Sequence, residues 1–145
     1  MAVTVANTPV VLIVEDHDDT REMLQLVLAV FGCRAIAAHD GEEALSLAEK
    51  TLPDLILMDM RMPRLDGLSV TRLIRSHPTL NEVPIIAVTG MVTPQFQSEV
   101  LSAGCNDCLY KPIDFDRLEQ LIKNLTLSAP RHNLSSRSVI TGQTW

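Results

Sequence analysis

Short aliphatic and β-branched runs alternate along this chain with stretches whose apolar positions recur every three to four residues. The runs at 9–14, 34–38, 55–59, 85–89 and 108–110 predict five strands. They show little polar alternation, as strands buried on both faces do. The intervening stretches predict five helices. The first starts at Asp18 or Asp19, sets Met23, Leu24, Val27, Leu28 and Phe31 on one stripe, and ends before Gly32. The second runs from 41 to about 50, with Asp40 as N-cap and Glu43 three residues on, and Pro53 forces the exit. The others span 67–76, 94–103 with Gly104 as the stop, and 115 to about 127. Asp114 caps the last, whose apolar face is Leu118, Leu121, Ile122 and Leu125. Strand and helix in strict alternation imply an α/β fold with a parallel sheet covered on both sides.

That pattern gives the polar residues their meaning. Glu15 and Asp16 follow the first strand, Asp59 ends the third, and Lys111 follows the fifth. In a parallel sheet these ends converge on one edge, bringing three carboxylates beside one ammonium. Carboxylates that close disfavour joint ionisation, and a hard divalent cation relieves the repulsion. The grouping points to Mg²⁺ and a phosphoryl group. Each residue taken singly has a plainer explanation: an acid pair at a helix start, a turn aspartate, a surface lysine. Their joint placement at strand ends outweighs it. Asp18 and Asp19 are read as helix capping, and the four histidines as surface or loop residues.

The length of 145 residues suits one domain, and a hydrophobic fraction of 46% suffices for a core. The formal charge of −6 argues against direct nucleic-acid binding, so protein partners are expected. No charged-then-apolar leader precedes the first strand, and no apolar run approaches the roughly 20 residues a membrane span needs. Residence in the cytoplasm without membrane insertion is the expectation. Three cysteines make no disulfide framework. Cys105 and Cys108 form a C-x-x-C that follows a glycine and leads into a strand, unlike a redox pair at a helix start. Residues 1–8 read as an N-terminal tail and 9–127 as the domain. Residues 128–145, rich in Ser, Thr, Asn and Arg, read as a disordered C-terminal tail too short to be an output domain.

Several motifs in fixed order carry a closer resemblance. They are Val-Leu-Ile-Val-Glu-Asp at 11–16, Pro-Asp-Leu-Ile-Leu-Met-Asp-Met-Arg-Met-Pro at 53–63 followed by Asp66-Gly67, Pro-Ile-Ile-Ala-Val-Thr at 84–89, and Lys111-Pro112. With these the chain resembles a response-regulator receiver domain of two-component signalling, of the single-domain, chemotaxis-receiver type. The resemblance implies the flavodoxin-like, doubly wound order 2-1-3-4-5, with ligands at the switch point beyond the strands' carboxyl ends.

It also implies roles. Asp59 would be the phospho-acceptor, taking its phosphoryl group from a histidine kinase or histidine phosphotransfer protein. Mg²⁺, for which Mn²⁺ can substitute, would be held by Asp16, Asp59 and the backbone carbonyl of Arg61, with Glu15 acting through water. Thr89 and Lys111 would bind the phosphoryl oxygens, and the Lys111–Pro112 bond would be cis. Arg61 and Gly90 would flank the site and modulate its access. The family's usual switch aromatic is replaced here by Cys108, and Tyr110, two residues along the strand, would face the same way. Output would pass to a downstream protein through the surface of helix four, strand five and helix five, a face that could also form a homodimer.

The chain would then be no enzyme beyond Mg²⁺-dependent self-phosphorylation and autodephosphorylation. One rival is an unphosphorylated pseudo-receiver, disfavoured because all five expected site positions hold competent side chains. Another is a receiver fragment of a larger, DNA-binding regulator. An aspartyl phosphatase would want an acid-base Asp two residues after the nucleophile, where this chain has Arg61.

Overall fold

The computed structural model describes residues 8–128. The tails expected at 1–8 and 128–145 lie, but for their border residues, outside the described residues. Between them run β1 (Val10–Val14), α1 (Asp18–Val30), β2 (Arg34–Ala38), α2 (Gly41–Thr51), β3 (Leu55–Asp59), α3 (Gly67–Arg75), β4 (Ile85–Thr89), α4 (Pro94–Ala103), β5 (Asp107–Tyr110) and α5 (Phe115–Ser128). The strands form one sheet in the order β2-β1-β3-β4-β5, every pairing parallel. The doubly wound expectation holds.

Alternation along each strand splits the core in two. Leu12, Val14, Ile56, Met58, Ile85 and Ala87 point to one face and pack with Ala44, Ala48, Val70, Ile74 and Val100 of α2, α3 and α4. Val11, Ile13, Leu55, Leu57 and Ile86 point to the other and meet Leu24 and Leu28 of α1 and Leu118, Leu121 and Ile122 of α5. β3 and β4 are buried at every residue, which is why their sequences are apolar without alternation.

Local chemistry sets the helix ends. Asp40 accepts the Glu43 backbone N–H at 2.8 Å, and Glu43 reaches back to the His39 N–H at 2.7 Å, one residue before the cap. Asp66 caps α3 through the Ser69 N–H, Thr93 caps α4 through that of Phe96, and Asp114 accepts from Asp116 and Arg117 at the start of α5. Gly104 closes α4 with φ of 119°, a left-handed conformation that suits glycine.

Three local expectations change. The α1 N-cap is His17, with no side-chain cap bond, and Asp18 and Asp19 lie inside the first turn. Asp18 is paired there with Arg21, so its role is an ion pair within the turn. Met23 is 38% exposed, because Leu24, Leu28 and Phe31 at i, i+4 and i+7 fill the sheet-facing stripe. β5 begins one residue earlier than expected, at Asp107.

All three cysteines are free and buried. Cys105 Sγ lies 3.8 Å from Thr71 Oγ1, and burial pushes its thiol up to about 11. Such a thiol is a poor nucleophile at neutral pH.

Candidate functional site

The carboxyl ends of the strands are held in line by backbone bonds that continue the ladders past the strands themselves. The Glu15 N–H donates to Ala38 O at 3.1 Å, the Met60 N–H to Val88 O at 3.1 Å, and the Lys111 N–H to Thr89 O at 2.9 Å. In register, Val14 stands beside Met58 and Asp59 beside Val88. Glu15, Asp59 and Lys111 are therefore fixed by their backbones at one edge of the sheet. Arg21 adds a clamp from α1, donating from Nη1 to the Glu15 carbonyl at 3.0 Å.

At that edge the side chains meet as expected. Glu15 and Asp59 are buried, and Lys111 Nζ approaches Glu15 Oε1 at 3.7 Å and Asp59 Oδ1 at 3.6 Å. Asp59 Oδ1 also accepts the Arg61 backbone N–H at 3.2 Å. Glu15, Asp16, His17 and Asp59 each offer one ligand atom, all within 4.8 Å of one another. Burial, then the charge of Glu15, pushes the Asp59 carboxyl up to about 6; Asp16 pushes the same way, and the Arg61 N–H and Lys111 oppose them. A carboxyl titrating so near neutrality needs a nearby cation to remain fully ionised.

The donor set fits such a cation. Asp16 Oδ1 is buried without a hydrogen-bond partner, while its side chain as a whole stays 24% exposed and so reachable by solvent. His17 Nδ1 comes within 3.4 Å of it, an electrostatic approach too poorly placed for a hydrogen bond. An orphaned carboxylate oxygen among other hard oxygen donors is what a partly hydrated Mg²⁺ requires.

The surrounding residues fall into place around this edge. Thr89 is buried, and its Oγ1 accepts the Met91 N–H at 3.0 Å, tying the β4–α4 loop to the strand end. Cys108 and Tyr110 pack on the same face of the sheet, as the period of two requires. The Lys111–Pro112 peptide is cis. Gly90 is exposed, and a Cβ there would meet nothing within 4 Å. Gly67 stands so close behind the site that a Cβ would lie 2.4 Å from the Asp59 carbonyl oxygen.

Two participants escaped the sequence reading. Arg21 is one turn into α1, at a spacing that signals only an intrahelical pair. His17 is an exposed loop residue, as expected, and in addition its Nδ1 lies 3.1 Å from Glu15 Oε2, and its backbone N–H donates to the same oxygen at 3.2 Å. The hydrogen bond to Glu15, then the charges of Asp16 and Glu15, raise its pKa. The available signal was its place directly after the acid pair.

Residues 11–123 match the family model for the response regulator receiver domain. The chain belongs to that family. This receiver is 34% identical over 114 residues to the polar-differentiation response regulator DivK of Brucella anthropi, across 79% of this chain and 93% of that protein. Among solved structures it is similar to the chemotaxis protein CheY4 of Vibrio cholerae, with TM-score 0.78 and 28% identity over 81% of this chain and 98% of that one. It is also similar to the receiver domain of the sensor histidine kinase PA1611 of Pseudomonas aeruginosa, with TM-score 0.78 and 36% identity over 83% of this chain and 99% of that one. That structure holds a magnesium ion in its active-site cleft. No helix among the described residues of the present receiver is long and apolar enough to cross a membrane.

Proposed function

We propose that this receiver is a phosphorylation-controlled switch whose acceptor is Asp59. A carboxylate oxygen of Asp59 attacks the phosphorus of a phosphohistidine on a kinase or phosphotransfer protein. The P–N bond breaks, its electron pair stays on the imidazole nitrogen, which takes a proton from solvent as it leaves, and an acyl phosphate remains. A carboxylate is a weak nucleophile, so the site contributes alignment and charge neutralisation. Asp16, Asp59 and the Arg61 carbonyl would hold Mg²⁺, with Glu15 acting through a bound water. The ion supplies neutralisation of the phosphoryl oxygens and of the carboxylates beside them.

Lys111 pairs with a further phosphoryl oxygen as a point charge, and Thr89 donates its hydroxyl to another. Drawing Thr89 toward the phosphoryl group moves the Met91 N–H bonded to it, and with it the loop leading into α4. The altered surface of α4, β5 and α5 is then read by a downstream protein, in the cytoplasm. The observation that carries this reading is the meeting of Asp59, Asp16 and Glu15 with Lys111 at one edge, with Asp16 Oδ1 lacking a partner.

Incubation with acetyl phosphate, followed by intact mass, tests it. One Mg²⁺-dependent phosphoryl adduct is expected on the wild type and none on Asp59→Asn. Equal labelling of the two proteins would remove Asp59 as acceptor.

A further inference from the structure

We infer that His17 is a nitrogen ligand for the cation at this site, so that the pocket takes borderline divalent ions through His17 and not only Mg²⁺ through oxygen. The inference rests on the metal site proposed above and adds a donor to it. His17 Nδ1 stands 3.1 Å from Glu15 Oε2 and 3.4 Å from Asp16 Oδ1. Neighbouring ligands of one ion are separated by about 3.0 Å in an octahedron with bonds near 2.1 Å, and by about 3.4 Å in a tetrahedron. The 3.4 Å between Nδ1 and Asp16 Oδ1 is the spacing of adjacent donors, while Glu15 Oε2, proposed to act through water, hydrogen-bonds the ring at 3.1 Å.

A hydrogen bond alone accounts for only one of the two contacts. Glu15 Oε2 already receives the His17 backbone N–H, whereas Asp16 Oδ1 is buried, faces the same ring nitrogen and has no hydrogen-bond partner. An ion shared by Nδ1 and Oδ1 satisfies Oδ1 and takes the place of the Nδ1 bond to Glu15. His17, though the N-cap of α1, makes no side-chain cap bond; its ring turns back on the acid pair, where Nδ1 is hydrogen-bonded to Glu15 Oε2 at 3.1 Å, and ligation of an ion would replace that bond while 71% of the side chain stays exposed.

The choice of ion follows from donor chemistry. Mg²⁺ prefers oxygen and keeps its waters, so it gains little from an imidazole. Ni²⁺ and other later first-row ions bind imidazole well, and Mn²⁺ accepts mixed nitrogen and oxygen sets. His17 therefore tilts selectivity toward those ions without being needed for Mg²⁺.

The full chain is titrated calorimetrically with Mg²⁺ and with Ni²⁺, near pH 8, as wild type, His17→Ala, His17→Ser and Asp16→Ala. His17→Ser retains a residue suited to an N-cap. Both His17 variants are expected to weaken Ni²⁺ at least 10-fold and to leave Mg²⁺ within about 3-fold. Asp16→Ala is expected to weaken both ions, which separates this site from the chain's other histidines. Pulsed electron paramagnetic resonance of the Mn²⁺-loaded wild type is expected to show a directly bonded nitrogen that His17→Ser lacks. Unchanged Ni²⁺ affinity in the His17 variants, or no nitrogen coupling in the wild type, overturns the assignment. Indifference of Mg²⁺ binding to Asp16→Ala would instead sink the metal site itself.

Discussion

Lys111 Nζ, carried out of β5 at the sheet edge, reaches past β4 to within 3.6 Å of Asp59 Oδ1 on β3. It approaches Glu15 Oε1 on the far side of β3 at 3.7 Å. One ammonium thus balances two buried carboxylates drawn from separate strands. Its own side chain is 35% exposed, so solvent screens part of the attraction.

Replacing it by an apolar side chain of similar shape removes that balance. In the absence of metal, Lys111→Met is expected to destabilise the protein by about 1 kcal/mol at pH 8, a modest value for a half-exposed partner. The deficit should shrink below about pH 5, where Asp59 takes up a proton and needs no counter-charge. Urea midpoints of both proteins at the two pH values check this. A deficit as large in acid as in base would mean that packing of the lysine stem, not its charge, matters.

Asp59 gives the complementary pH dependence. Below about pH 3 its carboxyl is protonated in the folded and unfolded chains alike, and it costs nothing. Between pH 4 and 6 the unfolded chain ionises while the folded site, its carboxyl pushed up to about 6 by burial and Glu15, still holds the proton. The folded state then binds more protons, so its stability falls as pH rises through that window. Asp59→Asn removes the ionisation. It is expected to stabilise the metal-free protein by on the order of 1–3 kcal/mol at pH 8, with the gain vanishing below about pH 3. Thermal melts across this range, with chelator present, decide it; a constant difference at all pH values would contradict the argument.

Gly67 illustrates a constraint of space. A Cβ there would come within 2.4 Å of the Asp59 carbonyl oxygen and 2.7 Å of Met60 Cα, both backbone atoms that cannot swing aside. Gly67→Ala is expected to cost about 1–3 kcal/mol and to displace Asp59, the proposed acceptor, lowering labelling by a phosphodonor as well. Gly90→Ala, whose Cβ meets open space, is expected to stay within about 0.5 kcal/mol of wild type. Denaturant midpoints of the pair separate the two cases.

Much of this was legible in the sequence because periodicity and site chemistry agreed. β3 and β4 are apolar up to their last residues since helices cover both faces, and only Asp59 and Thr89 at those ends are polar. A buried carboxylate placed so is informative. Positions decided by three-dimensional contacts were not legible. Met23 and Leu24 both suit the stripe of α1, and only the rotation of the helix on the sheet exposes Met23. The imidazole of His17 is turned toward the acids by a backbone bond to Glu15 that no spacing rule foretells. Glu43 bonds to His39 and not to the cap residue because the chain enters α2 fully extended at Asp40.

In the switch proposed above, Thr89 carries the output. Its hydroxyl oxygen accepts the Met91 N–H at 3.0 Å, and the same hydroxyl has a proton to donate. Under the proposed mechanism, a phosphoryl oxygen at Asp59 would recruit Thr89 and pull on the loop through Met91. Cys108, at the position where the resemblance implies a switch aromatic, has too little bulk to report a rotamer change to the surface, while Tyr110 lies half-buried on the same face. Thr89→Ala is expected to remain phosphorylatable, since Asp59 and the proposed metal ligands are intact. It should nonetheless lose most of the affinity difference for a downstream partner between the two states, and Thr89→Ser should restore it. A partner shifts a two-state surface only by its differential affinity, so removing the contact that distinguishes the states shrinks that difference. Partner binding is measured for wild type, Thr89→Ala, Thr89→Ser and Tyr110→Ala, with and without beryllofluoride. Should Thr89→Ala keep the full difference while Tyr110→Ala loses it, the coupling runs through the tyrosine.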